Sequence, residues 1–119
     1  MKGKIVISDR FADSTFIYQG YANKFGLEKS INLHKKLLQN FLPKKTFLFL
    51  LSSQEINKRL KKRKIANKYD KINLKFHNKI LSGYKKLSRN NKRFILIDAT
   101  LTQDVIHKKI INSIINLIK

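Results

Sequence analysis

The chain has 119 residues, 42% of them hydrophobic, no cysteine, and a formal net charge of +20 from 27 basic and 7 acidic side chains. That length allows one small domain, the lack of cysteine excludes a disulfide framework and a thiolate metal site, and no long apolar run or signal-like leader is present. A soluble, cytoplasmic protein with no membrane partner is expected, and the charge reads as coding bias toward lysine as readily as a surface for polyanions.

In chain order, the apolar run at residues 4–8 predicts a strand buried on both faces, followed by Asp9-Arg10 and a short polar helix. Residues 28–42 predict a helix with Ile31, Leu38, Phe41 and Leu42 on one stripe, stopped by Pro43. A second strand is expected at 46–51, buried on both faces like the first and like a third further on. Ser52 and Glu55 have capping-box spacing, so a helix should start at about 53 and run through the basic segment. A helix over about 71–88 carries Ile72, Phe76, Ile80 and Leu87, a third strand covers 93–97, and a last helix from about 103 carries Val105, Ile106, Ile110, Ile114 and Ile118. Apolar runs alternating with amphipathic stretches predict an α/β fold with a parallel sheet.

Three groups of residues could carry chemistry. A carboxylate and a guanidinium at a strand end, Asp9 and Arg10, can meet Mg²⁺ and a phosphate, although Asp9 could equally cap the next helix and Arg10 form a surface ion pair. Ser14 with Tyr18 and Thr15 with Gln19 share neighbouring helical positions that can face one pocket, or belong to an ordinary amphipathic helix. Lys58-Arg59-Leu60-Lys61-Lys62-Arg63-Lys64 sets Arg59 and Arg63 one helical turn apart, as a mobile cationic segment or a solvated face. His77 on an apolar helix face reads as a packing residue, with no metal-spaced partner. No Gly-x-x-x-x-Gly-Lys-[Ser/Thr] occurs, and the four glycines are scattered.

The pattern Asp9-Arg10-Phe11-Ala12-Asp13-Ser14-Thr15-Phe16-Ile17-Tyr18-Gln19-Gly20, with Phe76-His77 and Gly83-Tyr84 downstream, resembles bacterial thymidylate kinases. The resemblance implies a partial P-loop, three-layer α/β/α fold with a parallel sheet whose first two strands are missing. It also implies one truncated domain over 1–119, with a lid at about 59–71. By resemblance, Asp9, Arg10, Arg59 and Arg63 are catalytic. Arg10, Ser14, Thr15, Tyr18 and Gln19 bind dTMP, Arg59 and Arg63 serve ATP, and Asp9 acts on Mg²⁺ indirectly. Asp98 and Thr100 fall where adenine is expected, with helix capping as the bland alternative. Asn67-Lys68-Tyr69-Asp70 keeps the family's lid charges loosely, and Lys44, Lys45 and Leu50 stand where acids and leucine are common.

The implied activity is ATP-dependent phosphorylation of dTMP to dTDP. Because the family's P-loop lies upstream of the Asp-Arg strand, the chain is expected to be a C-terminal portion that is inactive alone and needs an N-terminal P-loop segment as partner. A homodimer is a further expectation of the resemblance. Other readings are a fragment of another P-loop nucleoside or nucleotide kinase, a non-catalytic remnant, and a basic nucleic-acid-binding module. The module is disfavoured by dispersed lysines and by Asp9 and Asp13 at the best-formed site.

Overall fold

A buried apolar strand must find a neighbour for its backbone groups, and in the second part of this chain two strands find each other. The computed structural model describes residues 3–62 and 74–119, which form two compact units, Met1–Leu42 and Pro43–Lys119.

In the second unit, β1 (Thr46–Leu50) pairs in parallel with β2 (Phe94–Asp98), with Thr46 opposite Phe94 and Leu50 opposite Asp98. Both ends of the ladder are clamped. Arg93 Nη1 donates to Thr46 Oγ1 at 2.5 Å, its guanidinium stacks 4.4 Å from the Phe94 ring centroid, and Ala99 N donates to the Leu50 carbonyl at 3.0 Å. Parallel strands need a long crossover, and α3 (Ser53–Lys62) and α4 (Leu74–Ser88) lie between these two in sequence. Ser52 Oγ accepts from Glu55 N at 3.2 Å, which is the expected cap, and Ser53 Oγ donates to Asn78 Oδ1 of α4 at 2.6 Å. α5 (Gln103–Ile118) is capped by Thr102, whose side chain accepts from Val105 N.

Full burial of the strands does not follow. Leu48 and Ile97 are buried, whereas Phe49 and Leu96 are about half exposed (51% and 54%), in a sheet that has two strands among the described residues. Val105 and Ile118 of the expected α5 stripe are also exposed, and Ile106, Ile110 and Ile114 form its half-buried side.

The first unit departs further from expectation. Residues 4–8 form no strand, and Ile5, Val6 and Ile7 are 69%, 85% and 87% exposed. Apolar composition favours a strand, but the ladder that makes one is absent for this segment among the described residues. Regular structure begins with α1 (Ala12–Thr15), which continues into a π-helical segment, Phe16–Ala22, and is followed by α2 (Leu27–Leu38). Ala12, Phe16, Ile17 and Ala22 are buried, and the Phe16 and His34 rings meet edge to face at 5.4 Å. α2 stops before Pro43: Gln39 takes φ 55° and turns the chain, leaving Leu38 and Phe41 exposed rather than in a core stripe. Phe41 instead meets the edge of Phe11 at 5.8 Å, and its carbonyl accepts from His34 Nε2 at 2.9 Å.

One glycine is required by close packing. A Cβ on Gly20 would overlap Ser30 Oγ and stand 3.1 Å from the Gly26 carbonyl oxygen, while Gly26 N donates to the Gly20 carbonyl at 2.7 Å. This contact folds α2 back onto the π-helical segment. Among the described residues, no helix is long and apolar enough to cross a membrane.

Candidate functional site

The site starts with a backbone that a non-glycine residue adopts at a cost. Arg10 has φ 65°, in the left-handed region, worth about 1–2 kcal/mol of strain for an L-residue. Local bonds hold it there. Ser8 Oγ donates to the Arg10 carbonyl at 3.0 Å, Arg10 Nε donates to Ser14 Oγ at 3.1 Å, and the guanidinium carbon lies 4.9 Å from the Tyr18 ring centroid. With Nε engaged by Ser14, the donors on the two Nη atoms form the fork that matches a phosphate.

Arg10, Ser14, Thr15, Tyr18 and Gln19 line one cavity of about 310 Å³, wholly within the first unit. These are the five residues named from the sequence for an acceptor nucleotide. Helical spacing of four gathers them, and the widened π turn, a feature often found at functional sites, keeps them together. Sequence periodicity did not reveal the π turn, nor two residues that brace the site. Ser8 supports Arg10, and Asn23 Nδ2 donates to Gln19 Oε1 at 3.3 Å. Their signals were short polar side chains two residues before Arg10 and four after Gln19.

Asp9 is exposed, and Asp13 is buried at 6% exposure. Among the described residues no three His, Cys, Asp or Glu side chains cluster as a metal site. A single exposed carboxylate fits Mg²⁺ carried on a nucleotide's phosphates with its own waters, and does not fit a cage built by protein alone.

The second unit holds the other named residues differently. Arg59 Nη2 donates to the Ala99 carbonyl at 2.9 Å, and Nε faces Glu55 Oε1 at 3.4 Å, so this guanidinium is braced by its own unit. Arg63 and the lid beyond Lys62, with Asn67 to Asp70 and Ile72, lie outside the described residues. Asp98 caps a turn rather than a helix. Its Oδ1 accepts from Thr100 Oγ1 at 2.6 Å and Thr100 N at 2.9 Å, and these bonds, side chain first, hold its carboxyl below its ordinary pKa against an opposing desolvation effect. A larger hollow, about 570 Å³, is walled by Asn78, Leu81, Ser82, Lys85 and Lys86 of α4 and by Arg89 just after it. It offers cations for an anion but no aromatic ring on which a base could stack.

The sequence family described as thymidylate kinase matches residues 1–110. A thymidylate kinase of Thermoanaerobacter sp. strain X514 is 38% identical over 112 residues, covering 93% of this chain and 55% of the relative. One from Rickettsia bellii strain OSU 85-389 is 39% identical over 118 residues (98% and 57%), and one from Mycoplasma capricolum subsp. capricolum 38% over 121 (99% and 57%). The chain thus spans a little over half the length of these curated relatives. The match runs through the braced Arg10 loop, the cavity-lining helix and both strands, and by it the chain belongs to the thymidylate kinase family.

Proposed function

We propose that the first unit binds the acceptor nucleotide of a nucleoside monophosphate kinase, with dTMP as acceptor and ATP as donor. The observation that carries this reading is the convergence of Arg10, Ser14, Thr15, Tyr18 and Gln19 on one cavity, with the Arg10 guanidinium held at its Nε edge. The Arg10 fork takes two oxygens of the 5′-phosphate and fixes the third as nucleophile, which converts binding into orientation for in-line attack. Tyr18 lies against the deoxyribose, and Thr15 and Gln19 hydrogen-bond the thymine edge. The attacking phosphate oxygen forms a bond to the donor's γ-phosphorus as the bond to the ADP oxygen breaks.

Asp9 would hold Mg²⁺ through water, and the ion, when bound, neutralises charge on the donor's phosphates. Arg59 and Arg63 are assigned to ATP, with Arg59 leaving its Ala99 and Glu55 contacts to act there. A polypeptide of these 119 residues carries no P-loop sequence to cradle a triphosphate. Residues 1–119 by themselves are therefore expected to show no dTMP phosphorylation, and a P-loop-bearing segment added in trans to restore it.

In that reconstituted mixture Arg10→Ala should lower kcat/KM for dTMP by about 2–4 kcal/mol of transition-state stabilisation, while leaving ATP binding nearly unchanged. An unchanged kcat/KM removes Arg10 from the site. Turnover by residues 1–119 without the added segment, with host kinase excluded, overturns the requirement for it.

A further inference from the structure

The proposed acceptor site turns on Arg10, which stands in a backbone conformation that arginine seldom adopts, φ 65°. Two hydrogen bonds close rings around it. One runs through its side chain, from Nε to Ser14 Oγ at 3.1 Å, and the other through its backbone, from Ser8 Oγ to the Arg10 carbonyl at 3.0 Å. The direction of the second bond is fixed, since a carbonyl oxygen can only accept. Its ring contains the backbone dihedrals of Asp9 and Arg10, so its closure depends on the left-handed turn that leads into the extended Phe11 and the start of α1.

We infer that Ser8 is a positioning residue: its hydroxyl holds the Arg10 backbone in the turn that carries the guanidinium back to Ser14 and Tyr18, and so sets how much a ligand's phosphate adds to binding. The inference rests on the acceptor-nucleotide reading above and adds to it a residue outside the cavity wall. Without the hydroxyl, Arg10 relaxes toward negative φ, the ordinary state of an L-residue, and the direction in which its side chain leaves the backbone changes with it. The bond to Ser14 and the approach to the Tyr18 ring, at 4.9 Å, must then be kept by side-chain torsions alone, and the fork faces the phosphate for only part of the time. The base and sugar are assigned to Thr15, Tyr18 and Gln19 on the helical part of the wall, so a nucleoside that lacks the phosphate should be indifferent to this hydroxyl.

Ser8 is exposed, so its substitution leaves the core untouched. The test is titration calorimetry of dTMP and thymidine against wild type, Ser8→Ala and Ser8→Thr, each mixed with the P-loop-bearing segment. Alongside it, NMR follows the intraresidue NOE between the Arg10 amide proton and Hα, which is stronger in the left-handed region because the two protons lie closer there. Ser8→Ala should lower the ratio of dTMP to thymidine affinity by about three- to tenfold, the scale of one net hydrogen bond, with thymidine binding unchanged and the NOE weakened. Ser8→Thr keeps the hydroxyl and should restore both. A ratio unaltered in Ser8→Ala, or both ligands weakened alike, overturns the role of Ser8 and leaves the acceptor site standing. So does a ratio that falls with the NOE unchanged, or that falls as far in Ser8→Thr. Wild type that binds dTMP no more tightly than thymidine, or binds neither, overturns both.

Discussion

The two units hold the arginines proposed for nucleotide binding in opposite ways. Arg10 is fixed by neighbours close in sequence, Ser8, Ser14 and Tyr18, and it lines a cavity. Arg59 is tied to Ala99, forty residues away, and to Glu55, so its charge is spent on its own unit. The difference teaches that a site built from one loop and a turn and a half of helix is organised wherever that segment folds. A cationic group that serves a second substrate must first break the contacts that hold it.

The largest expected effect compares the two most buried side chains, Ile17 and Ile97, at 0% and 1% exposure. Replacing either by Ala should cost about 2–5 kcal/mol, measured by denaturant unfolding. The comparison predicts that dTMP binding suffers with Ile17→Ala, on the buried side of the cavity-lining helix itself, far more than with Ile97→Ala at equal folded fraction. Equal losses of binding would break it.

Next in size is Gly20→Ala. The new methyl overlaps Ser30 Oγ, which is itself bonded to the Leu27 carbonyl at 2.8 Å, so the α2 return must shift at a cost of about 1–3 kcal/mol. Ser30→Gly in the same chain should recover part of it. A neutral Gly20→Ala would show that the close approach does not set the geometry of the site.

The smallest effect concerns acid. Hydrogen bonds from Thr100 lower the Asp98 pKa in the folded chain. Its contribution to stability is therefore present above the ordinary carboxylate value and lost as the pH falls through the lowered one. In thermal melts taken at successively lower pH, Asp98→Asn should lose less stability than wild type in that acid window. Parallel curves would remove the Asp98 turn from the account.

These contrasts also explain what the sequence made legible. β1, β2 and the cap at Ser52 could be read because each signal, a continuous apolar run or a short hydroxyl before a helix, is local, whereas the last helix is capped by Thr102 and not by Asp98 or Thr100. The five cavity residues are named through the resemblance carried by Asp9 to Gly20, and four-residue spacing only puts them on neighbouring helical positions. Residues 4–8 could not be read, since their apolar pattern says what a strand would contain and nothing about whether another strand lies beside it. The early end of α2 rests on the left-handed turn at Gln39, a conformation glutamine does not announce. The π turn leaves the local composition unchanged, so hydrophobic periodicity passes over it. The Arg59–Ala99 bond depends on the strand order that brings the end of β2 to α3, which no short window contains.

The central claim is that residues 10–19 hold the acceptor nucleotide. It is tested most directly by titrating dTMP into isotope-labelled residues 1–119, with the P-loop-bearing segment present, and following each backbone amide by NMR. The account predicts saturable shifts centred on Arg10, Ser14, Thr15, Tyr18 and Gln19, with those of Arg10 abolished when thymidine replaces dTMP. Shifts centred on the basic face of α4, or none that saturate, would contradict it.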